Sequence, residues 1–211
     1  PKYATELLST MLGGYNVQAL VKLLDSDQAE VAAESLSKSV LIFDSYYDVE
    51  KLHNKGNKYA TQVLKSWAAA DWFTTKPKAP NNIKMIVFKA DGEINTDDLS
   101  PAQEAWSRPD IPLHAKSMLL NKTPDVFDQI KKLKGKNLPI VFVGDIVGTG
   151  SSRKSAINSL QWHFGKSIPY VPNKNTEGVI LGGKIAPIFF NTAEDSGAIP
   201  IECEVSNFKT G

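Results

Sequence analysis

Pro139-Ile140-Val141-Phe142-Val143-Gly144, followed by Val147-Gly148-Thr149-Gly150-Ser151-Ser152-Arg153-Lys154-Ser155-Ala156, is the stretch on which the fold of this chain turns. The apolar run Ile140 to Val143 reads as a buried strand. Ser152 to His163 reads as a helix whose inner face carries Ile157, Leu160 and Phe164. Between them lies a loop of glycines and hydroxyl residues, so the unit is strand, tight turn, helix, a building block of an α/β domain. Such a loop presents backbone N–H groups at a helix N-terminus, where an anion is favoured. The hydroxyls of Ser151 and Ser152 and the guanidinium of Arg153 suit a carboxylate or a phosphate. An ordinary strand-to-helix turn accounts for the same spacing.

Two better-known glycine motifs fail here. The phosphate-binding P-loop needs Gly directly before its Lys, and Arg153 stands before Lys154. The dinucleotide fingerprint needs a small last residue, and Gly148-Thr149-Gly150-Ser151-Ser152-Arg153 ends on arginine. Nucleotide binding is therefore disfavoured.

Around this unit the chain divides in two. Ala4–Met11, Val17–Leu24, Ala29–Phe43 and Tyr59–Phe73 place apolar residues three and four apart, as helices do. Gly13-Gly14 and Asp25-Ser26-Asp27 punctuate them. Thr74 to Asn82, with Pro77 and Pro80, has no periodicity and reads as a boundary, giving a helical region 1–76, a linker 77–82 and a second domain 83–211. In the second domain Ile83–Lys89, Ile140–Val143, Val179–Leu181 and Ile199–Val205 read as strands, with helices over Val126–Leu133 and Ser152–His163.

Composition narrows the function classes. The 211 residues are 42% hydrophobic and 22% charged, ordinary for a folded soluble protein. No apolar run is long enough to span a membrane, and the first residues lack the apolar core of a signal peptide. Starting at Pro1 rather than Met, the chain is expected to be a piece of a longer polypeptide. Net charge is +1, without the basic footprint of a nucleic-acid binder; Lys131, Lys132, Lys134 and Lys136 read as a solvated face. The single cysteine, Cys203, fits core packing and a reducing, cytoplasmic compartment. It cannot hold an iron–sulfur cluster, which needs three or four thiolates. His53, His114 and His163 show no ligand spacing, so no metal site is expected in this chain.

Four segments, in order, resemble one family. Gly-Ser-Ser-Arg at 150–153 resembles the active-site loop of the aconitase superfamily's swivel domain. Asp91-Gly92-Glu93-Ile94-Asn95-Thr96-Asp97-Asp98-Leu99-Ser100-Pro101 resembles the Thr-Asp-x-Ile/Leu-Ser motif that opens that domain. Trp106-Ser107-Arg108-Pro109-Asp110-Ile111-Pro112-Leu113-His114 and Gly182-Gly183-Lys184-Ile185-Ala186-Pro187-Ile188-Phe189-Phe190-Asn191-Thr192 resemble the bacterial B branch. That branch carries a HEAT-like helical array directly before its swivel domain, so the resemblance implies the fold class: α followed by α/β, a HEAT-like array and then a mixed β/α swivel domain.

The resemblance implies chemistry too: dehydration and rehydration linking citrate, cis-aconitate and isocitrate. The family's [4Fe–4S] cluster lies on other domains of the same polypeptide, so none is expected on this chain. Ser151 falls at the family's base position; a turn or N-cap role is its bland alternative. Arg108 and Arg153, the only arginines in the chain, fall at the substrate-carboxylate clamps, with Ser152 as a further donor. Asp97 and Ser100 are expected to organise the site edge. Asp98 and Lys154 depart from the mitochondrial pattern, and their roles stay open. Two alternatives remain: a free-standing small subunit such as that of isopropylmalate dehydratase, and a regulatory module. The latter would bind messenger RNA in the cluster-free form or form a homodimer through the helical domain.

Overall fold

The structure, a computed structural model, describes residues 1–11, 14–39, 43–76, 78–151 and 153–211. Ser152, the first residue read into the helix after the glycine loop, lies outside the described residues, as do Gly13, Pro77 and part of the helix read over Ala29–Phe43. The chain folds as two compact units, Pro1–Asn81 and Asn82–Gly211.

The first unit is helical among the described residues: α1 (Lys2–Ser9), α2 (Val17–Leu23), α3 (Ala29–Ser37), α4 (Phe43–Asn54), α5 (Lys58–Ala68) and α6 (Asp71–Thr74). Leu20, Leu24, Ala32, Ala33, Leu36, Val49, Val63 and Trp67 form its core. Small alanines on α3 let α5 approach closely. Carbonyls at the end of α3 are tied to α5: Trp67 Nε1 donates to Leu36 O at 2.9 Å and Ser66 Oγ to Ser37 O at 3.1 Å. Asn57 caps α5 by accepting from the Tyr59 and Ala60 amides and ties it to α2's end by donating to Leu24 O. The sequence reading needs correction here. The helix begun at Ala29 stops at Ser37, and α4 was not anticipated. The helix read over Tyr59–Phe73 is two, α5 and α6, broken at Ala70 in the left-handed conformation (φ +53°).

Among the described residues the second unit has one four-stranded, all-parallel sheet: β1 (Ile86–Asn95), β2 (Ile140–Thr149), β5 (Val179–Ile185) and β6 (Ile199–Glu202), in that spatial order. A hairpin of β3 (Lys166–Ile168) and β4 (Val171–Thr176) interrupts the β2–β5 connection. The remaining helices are α7 (Thr96–Leu99), α8 (Ile111–His114), α9 (Val126–Lys134), α10 (Lys154–Phe164) and α11 (Pro187–Asp195). Alternation sorts the strands by face. Ile86, Phe88, Ile140, Phe142 and Ile180 pack against Ile130, Leu160, Phe164 and Phe189 of the helices. Val141 and Val143 point the other way, where Val205, Cys203 and Phe208 pack. With both faces covered, β2 reads as a continuous apolar run rather than an alternating one. Cys203 follows β6 rather than lying within a strand reaching Val205.

His163, near the end of α10, is half-buried, and its Nε2 lies 2.8 Å from Ala115 O. Burial pulls its pKa below the usual value, helped by nearby Lys134, while the Ala115 hydrogen bond opposes this. A histidine held neutral in the folded state costs stability once the unfolded chain can take up the proton that the folded one refuses. Stability of this unit is therefore expected to fall as pH drops below about 6.5, the unperturbed value. His163→Gln, which keeps an N–H for Ala115, should flatten that part of a urea-denaturation pH series.

Candidate active site

In a parallel sheet, ligands bind beyond the carboxyl ends of the strands. Three of the four singled-out segments arrive at that edge. β1 and β2 run side by side, with Ile94 opposite Val147 and Asn95 opposite Thr149. The chain leaves β1 into α7, which carries Asp97, and leaves β2 into the loop carrying Ser151 and Arg153. β5 pairs with β2 on its other side, Ile185 opposite Val147, and leads into α11. The strand extends further than the sequence reading placed it: β2 runs through Gly148 and Thr149, and α10 begins at Lys154 with Arg153 at its N-cap position.

Two glycines give the loop its shape. Gly148 has φ +80°, and a Cβ there would sit 2.1 Å from a ring atom of Phe189 on α11. Gly150 has φ +89° but room for a Cβ, whose nearest neighbour would be Thr96 Oγ1 at an ordinary 3.4 Å. Gly148→Ala is expected to cost about 2–3 kcal/mol, from overpacking plus strained backbone. Gly150→Ala should cost about 1 kcal/mol, the strain alone. Chemical denaturation of the two variants separates these contributions.

Arg153 joins the two loops. Its Nη1 donates to Asp97 Oδ1 and, at 3.0 Å, to Ser100 O. Both hydrogens of Nη1 are thereby used, while the Nε–Nη2 edge carries no partner among the described residues. That edge is the fork with which arginine grips a carboxylate. The Arg153 guanidinium, and then the Ala102 amide, hold the Asp97 carboxyl below the usual carboxylate range, so it stays ionised. Ser151 is exposed, and its hydroxyl has no partner among the described residues.

Arg108 is placed one step away. Its Nε donates to Glu104 Oε2 at 2.7 Å and its Nη1 reaches Leu113 O at 3.4 Å. The neighbouring His114 contacts Ser100 Oγ at 3.1 Å, so Arg108 joins the Asp97–Arg153 cluster through the 113–114 turn rather than directly. Glu104, held ionised chiefly by Arg108, fixes one side of the guanidinium and leaves its Nη2 end without a partner among the described residues.

Asp98 is buried and acts from beneath. Its carboxylate accepts from the Asn95 amide at 2.9 Å and from Asn121 Nδ2 at 2.8 Å, with Lys122 Nζ at 3.5 Å. With Asn95 it forms a capping box that fixes α7. Thr149 Oγ1 donates to Glu93 Oε1 at 2.6 Å and anchors the loop to β1. Lys154 is exposed. Glu93 and His114 lie inside quoted segments, yet no local pattern assigns them roles, because their partners Thr149 and Ser100 come from other turns or strands; Glu104 falls between two of the segments, four residues before its partner Arg108.

Residues 85–211 match the family described as aconitate hydratase 2 N-terminus, and residues 1–73 match the aconitate B N-terminal domain. The chain belongs to the aconitate hydratase B family. It is 58% identical over 211 residues to aconitate hydratase B of Synechocystis sp., covering 99% of this chain and 24% of that protein. It is 54% identical over 222 residues to the protein of the same name from Salmonella typhimurium, covering 100% of this chain and 26% of that protein. The relative from Helicobacter pylori is 52% identical over 211 residues, covering 99% of this chain and 25% of that protein. The chain thus spans about a quarter of the length of these aconitate hydratases B. An iron–sulfur cluster does not fit the residues here: Cys203 is the only cysteine, half-buried against Val141 and Val143, and no metal-holding group of His, Cys, Asp and Glu occurs among the described residues. No helix among the described residues is long and apolar enough to cross a membrane.

Proposed function

We propose that this chain is the substrate-gripping N-terminal part of a cytoplasmic aconitate hydratase, a hydro-lyase of the tricarboxylic acid cycle. It would interconvert citrate and isocitrate through cis-aconitate, working with cluster-bearing domains of the same polypeptide. The first unit is then the HEAT-like array and the second the swivel domain. The observation that carries the reading is the Arg153 guanidinium, oriented by Asp97 and Ser100 with its carboxylate-gripping edge unspent at the carboxyl ends of β1 and β2.

Arg153 and Arg108 would each hold a carboxylate of the substrate, with Ser152 donating a further hydrogen bond. Ser151 would take the proton from the carbon beside one of those carboxylates. A serine hydroxyl is a poor base in water, and becomes competent where its alkoxide is stabilised by N–H donors and a cation. The start of α10 and Arg153 would supply both. Removal of the substrate hydroxyl is left to the other domains.

Two alternatives lose ground. The isopropylmalate dehydratase subunit leaves residues 1–73 without a role, whereas these match the aconitate B N-terminal domain. For RNA, Lys131, Lys132 and Lys134 occupy the last turn of α9, where cations offset the helix dipole.

Asp97→Asn tests the reading in the complete enzyme. Losing the charge that orients Arg153 should raise the citrate KM about tenfold with kcat within about threefold. An unchanged KM would remove Asp97 as the residue that sets the clamp.

A further inference from the structure

Ser100 Oγ is a meeting point. It lies 2.7 Å from Ser155 Oγ and 3.1 Å from His114 Nε2, and the same Nε2 lies 3.1 Å from Pro101 O. A carbonyl oxygen can only accept, so the nitrogen facing it carries the proton. A protonated Nε2 cannot accept from Ser100. The Ser100 hydroxyl, 1% exposed, therefore sends its own proton to Ser155 Oγ. Ser155 thus accepts, and its own hydroxyl proton finds no acceptor among the described residues. Ser155 sits in the first turn of α10, two residues after Arg153. The two converge on one residue: Arg153 on the Ser100 carbonyl oxygen at 3.0 Å, Ser155 on the Ser100 hydroxyl at 2.7 Å.

We propose that Ser155 is a further substrate-binding residue, its hydroxyl obliged by the His114–Ser100 chain to donate to a carboxylate held by Arg153. His114 is then a positioning residue, which fixes the direction of the protons without touching substrate. The inference rests on reading Arg153 as a carboxylate clamp. It adds a donor that neither the glycine loop nor the two arginines supply, and explains why a partly exposed serine is tied to a buried hydroxyl 55 residues away in sequence and, through it, to an imidazole.

The test is isothermal titration of citrate into the complete enzyme. Ser155→Ala should weaken citrate about ten- to a hundredfold, as expected for a hydrogen bond to a charged group. Ser155→Thr, which keeps the hydroxyl, and His114→Gln, whose amide N–H replaces the Nε2 donor, should stay within about threefold of wild type. Ser155→Ala within about twofold of wild type, while Arg153→Lys weakens citrate tenfold or more, would overturn the proposal alone. Equal losses in Ser155→Ala and Ser155→Thr would overturn it as well, showing that shape rather than the hydroxyl matters. Undiminished binding in both Arg153→Lys and Ser155→Ala would remove the clamp reading, and this proposal with it.

Discussion

Ser151→Ala in the complete, cluster-loaded enzyme is expected to lower turnover by about three orders of magnitude or more, with the citrate KM little changed. The expectation follows from where the residue sits. Its side chain is exposed and unpartnered among the described residues, so its removal breaks no hydrogen bond seen in the fold. It stands between Gly150, which frees the backbone to turn, and the start of α10. A loss confined to kcat marks a group that acts in the transition state rather than in binding. Equal kcat and KM effects would instead make it a binding residue, and near-normal turnover would reduce it to a turn residue.

Arg153→Lys is expected to cost about two to three orders of magnitude in kcat/KM, mostly through KM. Lysine keeps the charge and cannot reproduce the geometry. Arg153 uses one nitrogen for Asp97 and the Ser100 carbonyl while presenting a second, planar edge; an ammonium group has no second edge. Asp97 is more than half exposed, so leaving it poorly paired should destabilise the fold little. A thermal melt close to wild type beside a large rise in KM is the expected pair of results.

How much of this was legible in the sequence follows from how local each feature is. β2 was, because both faces of its sheet are covered and Ile140 to Val143 had to be apolar. The glycine loop was, since two positive-φ positions demand glycine and the following helix carries its own periodicity. α4 was not: its twelve residues are mostly polar, and among the described residues Val49 is buried in the core with Leu52 packed against it. The β3–β4 hairpin was missed because it is polar and largely exposed and contains Pro172. The break at Ala70 was hidden because an alanine there looks like a helix former, and only tertiary context holds it left-handed.

The site divides the same way. Ser151, Arg153, Arg108, Asp97 and Ser100 could be named from short segments. Their pairing could not, because Asp97 lies 56 residues from Arg153 and Ser100 lies 55 from Ser155. Such contacts are set by strand register, Asn95 opposite Thr149, and not by spacing along the chain. His114 shows the limit best. As a lone histidine it had no metal partner and no role, and acquires one only when the fold brings it to Ser100 and the Pro101 carbonyl.

The most direct test of the central claim, that this chain supplies the base, is solvent exchange. Citrate and isocitrate are equilibrated in deuterium oxide with the complete enzyme, wild type against Ser151→Ala, at equal cluster content, and deuterium on carbon is followed by NMR. The account predicts rapid incorporation with wild type and essentially none with Ser151→Ala, although the variant still binds citrate. Incorporation by Ser151→Ala at a rate near wild type would contradict it, and would place the base elsewhere.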